Sequence, residues 1–176
     1  AIAANQVAMT YGNAAFMLTV ALGSAATIRT SHCYGLKDKE QMKRSIISSL
    51  HLGALWGVCV LVVFILFRNL LPMAFTPSRE IIALASPMLV LVALYQVSDA
   101  IQGTLIGVLR GVQDVKIIAY LSFVAYVLLN IPVGYLCAFT FGFGSVGLLV
   151  GYIVGLTTAA LGYGIRVYRR LKSEKI

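Results

Sequence analysis

The sequence predicts an all-α integral membrane protein with five transmembrane helices, and three observations carry that expectation. Hydrophobic residues fill 60% of the 176 positions and charged residues only 11%, whereas a soluble domain carries about 25% charged residues. Mean hydropathy is +0.90. Five apolar stretches, near 6–30, 46–67, 82–109, 117–138 and 144–167, are each long enough to cross a bilayer core, which takes about 20 helical residues. A membrane barrel would show short alternating segments, and these runs are too continuous for one.

The first stretch holds Tyr11, Asn13, Thr19, Ser24 and Thr27. That is too polar for a helix bathed in lipid, so one face packs on protein or lines a cavity, with Asn13 a candidate for the cavity. The following loop, His32–Arg44, is the most charged internal segment, and its Lys37-Asp38-Lys39-Glu40 centre suits a short cytoplasmic amphipathic connection. After the second stretch comes the substantial loop Arg68–Glu80. There Pro72 and Pro77 are expected to end the second span and set up the third. Gly103, Gly107 and Gly111 recur every four residues on the third stretch, as do Gly147, Gly151 and Gly155 on the fifth. Small residues at that spacing let membrane helices approach closely; the faces either pack tightly and stay so, or slide during a working cycle. Pro87 and Pro132 fall within spans and are expected to distort them. Asn130, beside Pro132, either caps the distorted turn or lends an oxygen to a cation.

The net charge of +8 raises the possibility of a nucleic-acid partner, but the distribution argues against it. Twelve of the fourteen Lys and Arg residues follow the first, third and fifth spans; only Arg68 and Arg79 lie on the other side. This positive-inside pattern predicts an external N-terminus and a cytoplasmic C-terminus. The expected location is a cell membrane, here a bacterial inner membrane, crossed several times, with lipid headgroups as partners of the basic tail. Ala1 is preceded by no methionine or leader, and an odd number of spans with an exported start suggests a missing earlier helix. The chain is expected to be the C-terminal part of a longer protein.

Asp99 is the only acidic residue inside these long apolar stretches. A carboxylate at that depth costs roughly 2.5–3.5 kcal/mol on insertion scales, so it should face protein or water, and such acids usually mark ion pathways. Tyr95, Asp99 and Gln102 stand at i, i+4 and i+7 on a helix and share a face, with Gln96 beside them. Burial raises a carboxyl pKa and an approaching cation lowers it, so Asp99 suits exchange of Na⁺ or H⁺ for another cation. Tyr95, Gln96, Gln102 and Asn130 are candidate oxygen ligands beside it. Among the aromatic residues, Tyr95 and Tyr126 are the candidates for holding a cationic substrate through their π faces. Phe16, Tyr120, Phe123 and Tyr135 are weaker ones, since tyrosines near span ends usually anchor at interfaces and buried phenylalanines usually pack. Arg110 and Asp114, one turn apart, are expected to pair locally or to meet headgroups. Cys33, Cys59 and Cys137 have no metal-like spacing and the two histidines stand apart, so no resident metal or cofactor is expected beyond a transient Na⁺ at Asp99.

Residues along the whole chain resemble the multidrug and toxic compound extrusion (MATE) family. Ala3-Ala4-Asn5-Gln6-Val7-Ala8 looks like the family's Ala-Ala-His-Gln-Val-Ala stretch, and Phe16-Met17 through Gly23-Ser24-Ala25-Ala26-Thr27-Ile28-Arg29 resembles its eighth helix. The third span matches most closely, with Gln96, Asp99, Gln102, Gly107-Val108-Leu109-Arg110-Gly111 and Asp114. Tyr126 and Pro132-Val133-Gly134-Tyr135 resemble the eleventh helix. Gly144-Ser145-Val146-Gly147 with Gly151 and Gly155 resembles the twelfth. Asn5, Thr19, Ala125, Val127 and Asn130 depart from common family residues, which bears on ion and drug preference more than on the family.

The resemblance implies helices eight to twelve of a twelve-helix, two-lobe antiporter. Its partners would be the missing N-terminal lobe and helix seven, which supplies a further acid to the cation site. It also implies that Asp99, with Tyr95 nearby, helps form that site, and that inward Na⁺ or H⁺ is exchanged for a small cationic, amphipathic compound. Two alternatives remain: a lipid-linked oligosaccharide flippase of the same broad fold, whose cavity should carry Arg or Lys for phosphate, and a non-transporting structural subunit. No enzyme activity is expected, because an intramembrane aspartyl protease needs a pair of carboxylates and one is present.

Overall fold

The computed structural model describes residues 2–75, 78–142 and 144–172; Pro77 and Lys175 lie outside them, and the side chain of Asn5 is likewise not described. Five long apolar helices account for nearly all of it: α1 (Ile2–Gly35), α2 (Lys39–Leu66), α3 (Arg79–Gly111), α4 (Val115–Thr140) and α5 (Ser145–Lys172). Each of the five apolar stretches falls on one of these helices, which run past it at most ends. In lipid every backbone N–H and C=O must be satisfied within the segment, so an apolar run of this length folds as helix with little regard to intrinsic propensity.

The turns are short. The charged segment His32–Arg44, expected to be a loop, is almost wholly helical, and residues 36–38 alone connect α1 to α2. Asp38 explains the difference: its carboxylate accepts the Gln41 backbone N–H at 2.9 Å, capping α2, while Lys37 turns the chain with a positive φ of 54°. Between α2 and α3, Pro72 opens a 3-10 turn, Leu71–Ala74, rather than ending α2, which stops earlier at Leu66. Tyr11 on α1 donates its hydroxyl to the Leu71 carbonyl at 2.9 Å and sets its ring edge-on to Phe64 and Phe75. The chain remains helical through Pro87. In α4 the distortion expected of Pro132 takes a specific form: wide π turns at Phe123–Asn130 and Leu136–Thr140 flank a regular stretch, Ile131–Tyr135, that begins at the proline.

Helix α3 is central and meets α1, α2 and α5. Its glycines make this possible. Gly23 of α1 and Gly107 of α3 press backbone on backbone, and a Cβ on Gly111 would lie 2.7 Å from Thr30. Thr27 ties the seam: its hydroxyl lies 3.0 Å from both the Gly23 and the Gly107 carbonyls and shares its one proton between them. The second glycine series does the same between α5 and α4, where a Cβ on Gly151 would lie 2.7 Å from Gly134 Cα. Both stripes are thus occupied by close packing within this bundle.

Two apolar clusters cap the bundle. One gathers Met42, Leu105, Val108, Leu109 and Tyr163, the other Phe64, Leu89, Val92 and Leu149. Tyr34, Met42, Val112 and Arg170 border one small cavity, so the α1–α2 turn, the α3–α4 turn and the end of α5 share one end. The described basic residues segregate accordingly, with Arg68 and Arg79 at the opposite end from the rest.

Asp114 differs from expectation. Gln113, with φ 59°, turns the chain out of α3, so the i,i+4 geometry that would pair Asp114 with Arg110 is lost. Asp114 instead accepts from Arg166 Nε at 2.7 Å and Arg170 Nε at 2.9 Å, both on α5. The hydrogen bond from Arg166, with Arg170 adding to it, holds its carboxyl below the usual carboxylate range.

Candidate cation and substrate site

Between the two apolar clusters α3 turns a polar face outward. Tyr95, Asp99 and Gln102 occupy successive turns of one stripe, with Gln96 beside it, as the spacing required. Gln96 is 1% exposed and donates its amide to the Gly12 carbonyl of α1 at 3.2 Å. Gln102 donates its amide to the Tyr126 hydroxyl of α4. Each side chain is thereby held by a neighbouring helix through its nitrogen, which leaves its oxygen free. Gln96 Oε1, Asp99 Oδ2 and Gln102 Oε1 are all buried without a hydrogen-bond partner.

Two clefts meet at Asp99. The first, about 270 Å³, is lined by Met9, Asn13, Tyr95, Gln96, Tyr152 and Leu156 among others. The second, about 220 Å³, continues along Thr19, Gln102, Ile106 and Gly107 to Arg110. Phe16, Asp99 and Tyr126 border both. Among the described residues that line the clefts Asp99 is the one carboxylate, so the arrangement offers several oxygens and one negative charge. That donor set suits a small, weakly held cation more than a transition metal.

Of the residues singled out from the sequence, Asp99, Tyr95, Gln96, Gln102, Tyr126 and Asn13 come together around these clefts. Asn130 does not. It lies against Gly155 of α5, whose Cβ would sit 2.8 Å from Asn130 Cβ, and it lines neither cleft. Tyr120, Phe123 and Tyr135 are exposed on the outside of the bundle, away from both clefts. One contributor was missed: Tyr152 packs beside Tyr95 with ring centroids 6.2 Å apart and planes tilted by 33°. Thr19, one of the polar residues expected to pack on protein or line a cavity, lines the second cleft. A signal for Tyr152 existed: Gly151 and Gly155 mark the α4-facing side of α5, so Tyr152 and Leu156, one residue on, border the adjacent face.

Five membrane-crossing helices with an acid and paired amides in a central polar layer define a multi-pass helical membrane protein with an internal site. The sequence matches the MatE family over residues 1–136, and the chain belongs to that family. It is 35% identical over 172 residues to the multidrug resistance protein MdtK of Proteus mirabilis (strain HI4320), covering 96% of this chain and 38% of that protein. It is 36% identical over 171 residues to MdtK of Yersinia pseudotuberculosis serotype O:1b (strain IP 31758), covering 95% and 37%. The fold superposes on the crystal structure of the eukaryotic MATE transporter AtDTX14 with TM-score 0.88 and 26% identity, covering 94% of this chain and 37% of that one. A MATE crystal structure in the bent conformation gives TM-score 0.83 at 21% identity, with coverage of 97% and 39%. The chain therefore spans less than two fifths of the length of these relatives.

Proposed function

We propose that this chain is the C-terminal lobe, without its first helix, of a cation-coupled antiporter that exports small cationic, amphipathic compounds across a bacterial inner membrane. The observation that carries the reading is the Asp99 carboxylate, placed where two clefts meet and flanked by unpaired amide oxygens of Gln96 and Gln102. A buried oxygen without a partner costs about 1–3 kcal/mol. Three in one polar layer, one in each cleft and Asp99 where they meet, make sense as ligands awaiting a cation. Na⁺ or H⁺ arriving at Asp99 neutralises the carboxylate, and a substrate cation competes for the same charge. The rings of Tyr95, Tyr126 and Tyr152 supply flat, electron-rich walls for an aromatic cation beside it. The MdtK relatives are named multidrug resistance proteins, which supports drug export. The missing lobe, with a further acid on helix seven, would close the clefts and complete the site.

A flippase for a phosphate-linked substrate would need cations spread over its cavity, and among the residues lining these clefts Arg110 alone is basic. The positive end of the bundle is assigned to the cytoplasm, and with it the C-terminus.

The test is export of a fluorescent cationic dye by the full-length protein, with Asp99→Asn compared with wild type under imposed Na⁺ and H⁺ gradients. Gradient-driven export should be lost in the variant. Equal rates in both proteins would overturn the reading.

A further inference from the structure

Several serines and threonines inside these helices return their hydroxyl to the carbonyl one turn back. Thr10, Ser24, Thr27, Thr104 and Thr158 all do so, at 2.8–3.0 Å. Thr19 does not. It is 1% exposed, yet its Oγ1 has no hydrogen-bond partner. Its position is set by the helix seam: a Cβ on Gly103 would lie 2.7 Å from Thr19 Cγ2, so the methyl group is seated on that glycine. Thr19 nonetheless lines the second cleft, together with Asp99, Gln102 and Arg110. Gln102, the neighbour of Gly103, is 3% exposed and also keeps an unpaired oxygen. Thr30 and Ser45 share the unpaired buried hydroxyl, but neither lines this cleft.

We propose that Thr19 Oγ1 forms a second position for the coupling cation, one turn from Asp99 towards the Arg110 end of the cleft, with Gln102 Oε1 shared between that position and Asp99. Gly103 follows Asp99 by four residues, which places Thr19 about 6 Å further along the α3 axis. Two neutral oxygens hold a hydrated monovalent cation, Na⁺ or hydronium, more weakly than a carboxylate does. They serve as a stop between Asp99 and the end of the helices, while the fixed charge of Arg110 keeps cations from collecting beyond it. This rests on the reading of Asp99 as the coupling group.

The experiment uses the full-length protein in proteoliposomes and measures dye export driven by an imposed Na⁺ gradient or an imposed pH gradient. Thr19→Val keeps the shape and removes the hydroxyl; Thr19→Ser keeps the hydroxyl and removes the methyl. The valine variant should need about tenfold more of the driving cation for half-maximal export, at unchanged maximal rate and unchanged dye affinity. The serine variant should return close to wild type. A response confined to the Na⁺ gradient identifies Na⁺ as the occupant; one confined to the pH gradient identifies hydronium. Wild-type behaviour of Thr19→Val, or a Thr19→Ser variant as impaired as it, overturns the second position, the latter by assigning Thr19 to packing. Asp99→Asn in the same assay separates the two readings: gradient-driven export that survives it removes the coupling site itself.

Discussion

Asp114 and Asp99 show how differently two carboxylates behave in one chain. Asp114 sits at the turn between α3 and α4, and Arg166 and Arg170 clamp it to the last helix. Asp114→Asn should lower stability by about 1 kcal/mol, because charge-assisted hydrogen bonds are lost but the arginines stay partly exposed to water. Thermal unfolding in detergent measures this. The sign of its pH dependence follows from the depressed pKa. The stabilisation is present above the unfolded carboxyl value of about 3.9 and is lost as pH falls below it through the folded value. The gap between wild type and variant should therefore persist from pH 7 to about 5 and close on further acidification. Asp99 has no such clamp, and its free oxygen is what recommends it for exchange. The isolation of Asp99 was legible in the sequence because a charge inside an apolar run has no structural excuse. The partners of Asp114 were not legible, since Arg110, the cation four residues back along the chain, proved to be the wrong one.

Among the elements, the glycine stripes decide how α3 meets its neighbours. Gly107 presses on the Gly23 backbone, whereas Gly35 has open space where its Cβ would be. Gly107→Ala should cost about 1–3 kcal/mol of stability by forcing α1 and α3 apart, while Gly35→Ala should leave the thermal midpoint of the detergent-solubilised protein nearly unchanged. Equal effects would mean that the seam yields easily. The spacing of these glycines announced close packing but not the partner. The stripe on α5 turned out to face α4, and that contact is what draws Asn130 away from the clefts and puts Tyr152 and Leu156 beside them.

For the molecule as a whole, charge asymmetry predicts orientation. In a full-length protein freed of cysteines, Arg68→Cys should react with a membrane-impermeant thiol reagent in intact cells. Lys172→Cys should react only in inside-out vesicles. The reverse pattern would invert the topology and with it the direction assigned to the cation path. The fold agrees with the sequence pattern here: the described basic residues lie at one end apart from Arg68 and Arg79.

What the sequence determined alone was the class of protein, the five spans and the singular acid. A bilayer permits a crossing segment essentially one structure, and any charge within it stands out against the apolar background. Which face of each helix meets which neighbour was decided only by the tertiary structure. In lipid, the outward and inward faces of a helix are both apolar, so periodicity scarcely distinguishes them and small or polar residues are the main marks. The pairing of Asp114 with α5, the withdrawal of Asn130, and the gathering of Thr19, Tyr126 and Tyr152 around Asp99 all depend on that choice. Each is a contact between helices distant in sequence, set by how their glycines allow the backbones to close.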